Sequence, residues 1–276
     1  MKLSEMRQIL TEREIQLTKS LGQNFLHDAN QLRRIVEAAH LTTSDNVLEI
    51  GPGLGPLSDL LLQKSARVLA IEMDQRLVDY LDGRFKNPKL EILHADGLQI
   101  ARDKSRDWSE WKLVANLPYS VASPILVELS ENPRAPKSLT ITLQLEVAKR
   151  IQSKAGDEDY GILSLLLQVR YEPTEFLRIP AASFFPAPNV DSACITLQLR
   201  PTPLLPIDQL PTFKRIVKKA FSERRKMMLK LLKQEWPAEK LTQAFDRIGL
   251  SPQIRAEAVT LEQFVHLTSC LTMGPS

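Results

Sequence analysis

The chain has 276 residues, 43% of them apolar and 25% charged, which is enough to bury a core and excludes the disordered and mini-protein classes. Thirty-six basic against 33 acidic residues leave a net charge of only +3, an average too small to argue for a nucleic-acid partner by itself. Cys194 and Cys270 stand 76 positions apart and outside any Cys-x-x-Cys pair, so neither a disulfide framework nor a zinc site is expected. The longest apolar run, Ile162 to Leu167, is far short of the roughly 20 residues of a bilayer span, and the charged N-terminus lacks the apolar stretch of a signal peptide. A cytoplasmic protein without a membrane partner is expected.

From about position 45 the pattern alternates between strand and helix. Val47–Ile50 reads as a short apolar strand, followed by a Gly/Pro turn and a leucine-rich helix at 57–64. Strands at 67–71, 90–94 and 112–115 follow, with helices near 76–85 and 124–130, which implies a parallel α/β sheet. Further strands are expected at 139–145, 162–171 and 193–199, the last alternating as antiparallel strands do. Pro201, Pro203, Pro206 and Pro211 then mark a domain edge, and beyond it the pattern is helical only, at 213–233, 238–248 and 261–271. The expected organisation is a catalytic α/β domain over 1–203 and a small all-helical domain over 204–276.

Glu49-Ile50-Gly51-Pro52-Gly53-Leu54-Gly55 lies where the first strand hands over to a helix, and its glycines would let the backbone approach a nucleotide-like ligand. Glu72, 21 positions after Gly51 at the end of the next strand, is placed to accept from ribose hydroxyls. A dehydrogenase would want Gly-x-Gly-x-x-Gly; the spacing here is Gly-x-Gly-x-Gly, with Pro56 following. That form resembles the S-adenosylmethionine loop of Rossmann-like methyltransferases. Asp96, ending the following strand, would then accept from the adenine amino group of the cofactor.

Asn116-Leu117-Pro118-Tyr119 follows the next strand at the same rim. An exocyclic amine is a poor nucleophile because its lone pair is delocalised into the ring. The Asn116 side-chain carbonyl and the Leu117 backbone carbonyl can each accept one of its N–H groups, and Tyr119 can stack on the base. Transfer from a sulfonium needs positioning more than a strong base. The four histidines, 27, 40, 94 and 266, form no constellation.

At this point the residues resemble a family, the KsgA/RsmA type of ribosomal RNA adenine dimethyltransferases, from about Lys19 to Leu232. The resemblance is carried by Ser20-Leu21-Gly22-Gln23-Asn24-Phe25-Leu26, the glycine loop, Asn116 to Tyr119, Tyr160 to Ser164, Phe184-Phe185-Pro186-Ala187-Pro188-Asn189-Val190-Asp191-Ser192 and Phe221 to Lys226. It implies a Rossmann-like S-adenosylmethionine-dependent methyltransferase sheet with a C-terminal helical domain, and a cofactor-binding role for Asn24, Leu26, Gly51, Gly53, Glu72, Asp96 and Asn116. It also implies that Phe184, with Phe185 as a neighbouring alternative, faces the target base. The implied substrate is a pair of adjacent adenosines in the 3′-terminal hairpin loop of small-subunit (16S) rRNA, dimethylated at N6 within a 30S-type assembly intermediate by a monomer with no obligate protein partner. Asn189, Met227, Met228 and Lys230 depart from the family pattern at positions expected to face RNA, whereas Met73 and Gly97 depart from it beside the cofactor residues.

Between Thr212 and Lys233 nine basic residues stand against one acid, Glu223, a local charge of +8 that leaves −5 for the rest of the chain. Lys214, Lys218, Arg225 and Lys226 recur at spacings that can share much of one face of a basic amphipathic helix, and Lys218, Lys219, Arg224, Arg225 and Lys226 are expected to contact RNA phosphates. Two other classes are compatible with part of the pattern: an Erm-type methyltransferase of large-subunit rRNA, which shares the glycine loop, and a non-catalytic assembly factor on the same fold. The helical tail and the Phe-x-Pro-x-Pro-x-Val-Asp-Ser run favour the small-subunit enzyme, and the intact Glu72, Asp96 and Asn116 argue against lost activity.

Overall fold

The computed structural model describes residues 1–15, 24–223 and 225–272. It divides into two compact units, one formed by Met1–Ala148 with Glu172–Leu199 and the other by Lys149–Tyr171 with Arg200–Ser276. The strands in chain order are β1 (Phe25–Leu26), β2 (Asn46–Ile50), β3 (Arg67–Glu72), β4 (Leu90–His94), β5 (Trp111–Asn116), β6 (Ser138–Gln144), β7 (Tyr171–Ile179), β8 (Phe184–Phe185) and β9 (Ser192–Leu199).

Seven strands form one sheet in the order β4-β3-β2-β5-β6-β9-β7, and β1 and β8 form a separate two-stranded ladder. Strands β4, β3, β2, β5 and β6 run parallel to one another, and β9 runs antiparallel to β6. β2 and β6 are buried nearly throughout; β2 reads accordingly as a mostly apolar run, whereas β6 alternates Leu139, Ile141 and Leu143 with Ser138, Thr140 and Thr142, small polar side chains that are buried as well. The strand order reverses between β2, which continues to β3 on one side, and β5 on the other, and the crevice outside the strand ends at such a reversal is where open α/β sheets bind ligands. Register brings the ends to one rim, with Ile50 opposite Ile71, Glu72 opposite His94 and Asn116 opposite Thr142.

Helices Ala29–Ala38 and Pro56–Lys64 cover the sheet with Leu32, Ile35, Val36, Leu57 and Leu61, packed on Val47, Val68, Val114 and Cys194. Asp28 caps the first of these by accepting from the Asn30 and Gln31 N–H groups, a local signal worth about 1 kcal/mol. A further helix, Leu3–Glu12, lies outside the elements read from the sequence. It buries Met6 and Leu10 against Phe25, Leu54 and Leu77, with Phe185 at the edge of the cluster, and each such side chain is worth roughly 1.5–3 kcal/mol on burial.

The second unit differs from the sequence reading in three respects. Where the apolar run 162–171 suggests a strand, Ile162–Gln168 is a helix that packs on the helix Leu210–Ala220. The Ser164 hydroxyl accepts from the Gly161 N–H at 3.2 Å and so closes the first turn, a local cap that an apolar pattern cannot register. The same packing places 149–171 in this unit, in place of a single cut at 203/204. Finally, the continuous helix expected over 213–233 is two helices, Leu210–Ala220 and Met228–Leu232. The first stops where Phe221 turns its ring onto Tyr160 and Phe264, with centroids 6.0 and 6.2 Å away. Burying an aromatic ring in this way outweighs the propensity of the following basic residues to continue a helix. No helix among the described residues is long and apolar enough to cross a membrane.

Candidate active site

The ends of β2, β3, β4 and β5 in the first unit surround a cleft of about 270 Å³. Asn24, Gly51, Gly53, Glu72, Asp96, Asn116, Leu117 and Tyr119 all line it, together with Phe25, Met73 and Gly97. Residues separated by up to 95 positions in sequence therefore meet at the place where the strand-end argument expects a ligand. The loop after β2 bends through a left-handed glycine at Gly53, with φ of +61°, and a Cβ there would lie 2.6 Å from the Phe25 ring. The missing side chain thus provides both the turn and the room for Phe25 to form a wall. Phe25 is a lining residue that the sequence motif contains but to which sequence reasoning gives no role.

Charge in the cleft is set by burial. Glu72 is 6% exposed; its Oε1 accepts from the Met73 and Asp74 N–H groups at 2.9 and 3.0 Å, and its Oε2 from the Gly53 N–H at 3.2 Å. Burial pushes this carboxyl above its ordinary range, and the three N–H donors oppose that. Three of the roughly four lone-pair sites of a carboxylate are thereby used, and one on Oε2 is left for a ligand hydroxyl. Glu49, below the loop, is 1% exposed and accepts from the Ser58 hydroxyl at 2.6 Å. Burial, helped by Glu72 and Asp59, pushes its carboxyl up to about 8, against the Ser58 hydrogen bond. Asp96 caps the helix Gly97–Arg102 by accepting from the Leu98 N–H through Oδ1 at 2.8 Å, and its second oxygen has no hydrogen bond among the described residues.

Asn116 is the pivot of the site. Its Nδ2 donates to the Asn24 carbonyl at 3.0 Å, which fixes the amide plane. Its Oδ1 is buried and has no hydrogen-bond partner among the described residues. The adjacent Leu117 N–H donates to the Thr142 carbonyl at 3.2 Å, while no described residue donates to the Leu117 carbonyl. Buried acceptors left without donors cost about 1–3 kcal/mol each, so a pair of them in a cleft marks the place of a donor group of a ligand. The Tyr119 hydroxyl lies 2.6 Å from Ser192 Oγ, and burial raises its phenol above the ordinary value. Together the glycine turn, the open lone pair on Glu72, the second Asp96 oxygen and the bare Asn116 Oδ1 fit a nucleoside cofactor of the S-adenosylmethionine type.

Two expected positions lie elsewhere. Phe184 is 2% exposed and sits in the hydrophobic core with Leu26, Leu32 and Ile179 rather than in the cleft. It pairs with Leu26 across the β1–β8 ladder, as Phe185 does with Phe25. Neighbouring strand residues point to opposite faces; Phe185 is the half-buried one, with the Arg7 guanidinium 4.9 Å above its ring. Leu26, 2% exposed, lines only a small hollow of about 20 Å³ shared with Glu49, Gly51 and Asn116, so it backs the site without touching the main cleft.

In the second unit, Lys218 and Lys219 stand in the last turn of the helix Leu210–Ala220, while Arg225 and Lys226 stand in the turn after it; Arg224 lies outside the described residues. The single helix face expected for Lys214, Lys218, Arg225 and Lys226 is not formed, because the helix ends at Ala220. Lys219 donates to Gln234 Oε1 at 2.7 Å and Lys226 pairs with Glu223 at 2.6 Å, leaving Lys218 and Arg225 as exposed cations. No group of three or more His, Cys, Asp or Glu side chains among the described residues could hold a metal ion.

Comparison with known proteins gives a consistent result. The model of the family described as ribosomal RNA adenine dimethylase matches residues 15–272. The ribosomal RNA small subunit methyltransferase A of Geobacter metallireducens is 37% identical over 264 residues, which cover 93% of this chain and 96% of that protein. Among solved structures, the 23S rRNA methyltransferase ErmE matches with a TM-score of 0.66 at 28% identity, covering 91% of this chain and all of the other. A dimethyladenosine transferase from Plasmodium falciparum shares the fold, with a TM-score of 0.75 at 23% identity over 88% of this chain and 95% of the other. With a family match over nearly its whole length, and with the strand-end acceptors that such chemistry needs gathered in one cleft, this chain belongs to the ribosomal RNA adenine dimethylase family.

Proposed function

We propose that this protein is an S-adenosylmethionine-dependent dimethyltransferase of small-subunit rRNA, acting at N6 of two adjacent adenosines in the 3′-terminal hairpin loop during subunit assembly. The observation that carries this reading is the pair of unengaged acceptors, Asn116 Oδ1 and the Leu117 carbonyl, beside the glycine loop. They match the two N–H groups of an exocyclic amine in number and kind. The curated relatives named for the small-subunit enzyme, matched at 34–37% identity over most of the chain, favour that rRNA over the large-subunit one.

When bound, the cofactor supplies an electrophilic sulfonium methyl group. The chain supplies position. Asn116, held by its bond to Asn24, and the Leu117 carbonyl draw the two amine hydrogens and turn the nitrogen lone pair out of conjugation with the ring. That orientation is the main catalytic contribution, because a correctly aimed nucleophile replaces an encounter from solution. The Tyr119 face holds the base, which must leave its stack to reach the cleft. Glu72 and Asp96 hold the nucleoside part of the cofactor through ribose hydroxyls and the adenine amine. Lys218, Lys219, Arg224, Arg225 and Lys226 hold the RNA backbone, which gives affinity and salt dependence but no sequence reading. The protein acts in the cytoplasm, as a monomer.

The test is incubation with methyl-labelled cofactor and, in parallel, small subunits and large-subunit rRNA lacking the modification, followed by mapping of the labelled nucleotides. Label at N6 of the two adjacent adenosines is expected. Label in large-subunit rRNA instead would assign the chain to the Erm-type activity, and no label in either would leave a binding factor.

A further inference from the structure

We propose that Ser192 is a positioning residue of the methyl-transfer site, locking the Tyr119 ring so that β9, and not only the loop after β5, sets the platform for the target base. The inference rests on the reading of Tyr119 given above and extends it to a residue outside the cleft lining.

Tyr119 belongs to a turn, residues 119–121, between β5 and the helix Ala122–Ser130. Turns are the mobile part of an α/β scaffold, and a tyrosine in one has two free side-chain torsions. Ser192 is the opposite kind of residue. It is the first residue of β9, has no solvent exposure, and is paired in register with Gln144 of β6. The two hydroxyls are 2.6 Å apart, at the short end of the O–H···O range, and each has the other as its one hydrogen-bond partner among the described residues. A hydrogen bond at the far end of the ring fixes the first side-chain torsion and with it the place of the ring; the oxygen lies on the axis of the second torsion, so the bond only biases that one, through the preference of the O–H for the ring plane.

The bond also joins two stretches that are far apart in sequence, the Asn116–Tyr119 turn and the run that ends at Ser192. Asp191, next to Ser192, accepts from the Ala181 N–H at 2.9 Å and from Arg178 at 2.6 Å, and its carbonyl takes the Leu145 N–H at 3.0 Å. The serine therefore stands on a segment held from three directions, a fixed point from which a loop residue can be aimed. A hydroxyl so deeply buried would otherwise be an uncompensated polar group.

The experiment compares Ser192→Ala, Tyr119→Phe and the double variant in the full chain. For each, cofactor dissociation constants, kcat and KM for unmethylated subunits, and the unfolding midpoint are measured. Both single variants are expected to lower kcat/KM for the RNA by about tenfold, the order expected when a reacting group is slightly misplaced. Cofactor affinity should stay within about twofold, and the double variant should be no worse than either single one, because both remove the same bond. A fluorine label on Tyr119 should also sharpen as the ring gains freedom in Ser192→Ala. Independent, multiplying losses, or a Ser192→Ala enzyme with wild-type kcat/KM and an unchanged fluorine line, would overturn the proposal. If Ser192→Ala does not fold, Tyr119→Phe and the fluorine label on the wild-type chain still decide it, since an unrestrained ring there is incompatible with a lock. Tyr119→Leu separates the two readings: full turnover in that variant removes the base platform itself, whereas a loss there with no effect of Ser192→Ala removes only the lock.

Discussion

Replacing Glu49 with Gln should change how stability depends on pH before it changes anything else. Glu49 is 1% exposed with its Oε2 on the Ser58 hydroxyl, and burial raises its carboxyl from an ordinary 4.5 to about 8. The folded chain thus holds this proton more tightly than the unfolded chain. Its contribution is fully present below 4.5 and is lost as pH rises through 8. At about 1.4 kcal/mol for each pH unit in that window, the loss approaches about 5 kcal/mol. That is comparable to the whole stability of many domains, so even half of it is measurable. Glutamine keeps a carbonyl for the Ser58 hydroxyl but has no proton to lose. Urea unfolding of the cofactor-free protein between about pH 5 and 8 reads the effect. Trp108 and Trp111, edge-on at 5.7 Å in the same unit, report the transition, and a Trp236→Phe background removes the second unit's indole. The gap between Glu49→Gln and wild type should widen in favour of the variant as pH rises. A gap that stays constant across that range would show that Glu49 is ionised throughout and refute the burial argument.

Three other outcomes follow from the same geometry. Asn116→Ala removes the bare Oδ1 and should cut methyl transfer by about 10²- to 10³-fold, the usual cost of one oriented polar contact to a reacting group, with RNA affinity retained; turnover near wild type would sink the positioning role. Gly53→Ala places a methyl group 2.6 Å from the Phe25 ring at a φ of +61°, so we expect a loss of about 1–3 kcal/mol in unfolding experiments together with weaker cofactor binding in calorimetry. Unchanged values in both would mean that the loop and Phe25 move freely. Joint reversal of Lys218 and Arg225 to Glu should weaken RNA binding and make the plot of log affinity against log salt shallower by about 0.7–0.9 for each phosphate no longer neutralised; an unchanged slope would place the RNA on another surface.

The strand-end chemistry was legible in the sequence because it is local. A short apolar run, a turn and an acidic or amide residue recur at 47–55, 68–72, 92–96 and 113–116, and each repeat lands on the same rim. What escaped depends on contacts that spacing does not encode. The run 162–167 is apolar enough for a buried strand or a buried helix, and the Ser164 cap together with packing on the helix Leu210–Ala220 selects the helix. In Phe184-Phe185 the two rings are alike in composition; which one enters the core follows from pairing with Leu26 and Phe25 on β1, 158 and 160 positions away. The break after Ala220 is set by the ring contacts of Phe221 with Tyr160 and Phe264. The bond between Tyr119 and Ser192 spans 73 positions and joins two motifs that are separate in sequence.

The two-residue ladder between β1 and β8 has a consequence for how the protein is made. It joins positions 25 and 185, so the segment carrying Asn24 and Phe25 emerges from the ribosome long before the strand that seats it. A nascent chain that stops after β6 already carries the glycine loop, Glu72, Asp96 and Asn116, yet the wall formed by Phe25 has no strand partner. Contacts of such long sequence separation form late. In the half-made chain Phe25 still has Met6, Leu10, Leu54 and Leu77 to pack on, but the backbone pairing that pins its segment waits until the stretch around Phe185 clears the exit tunnel.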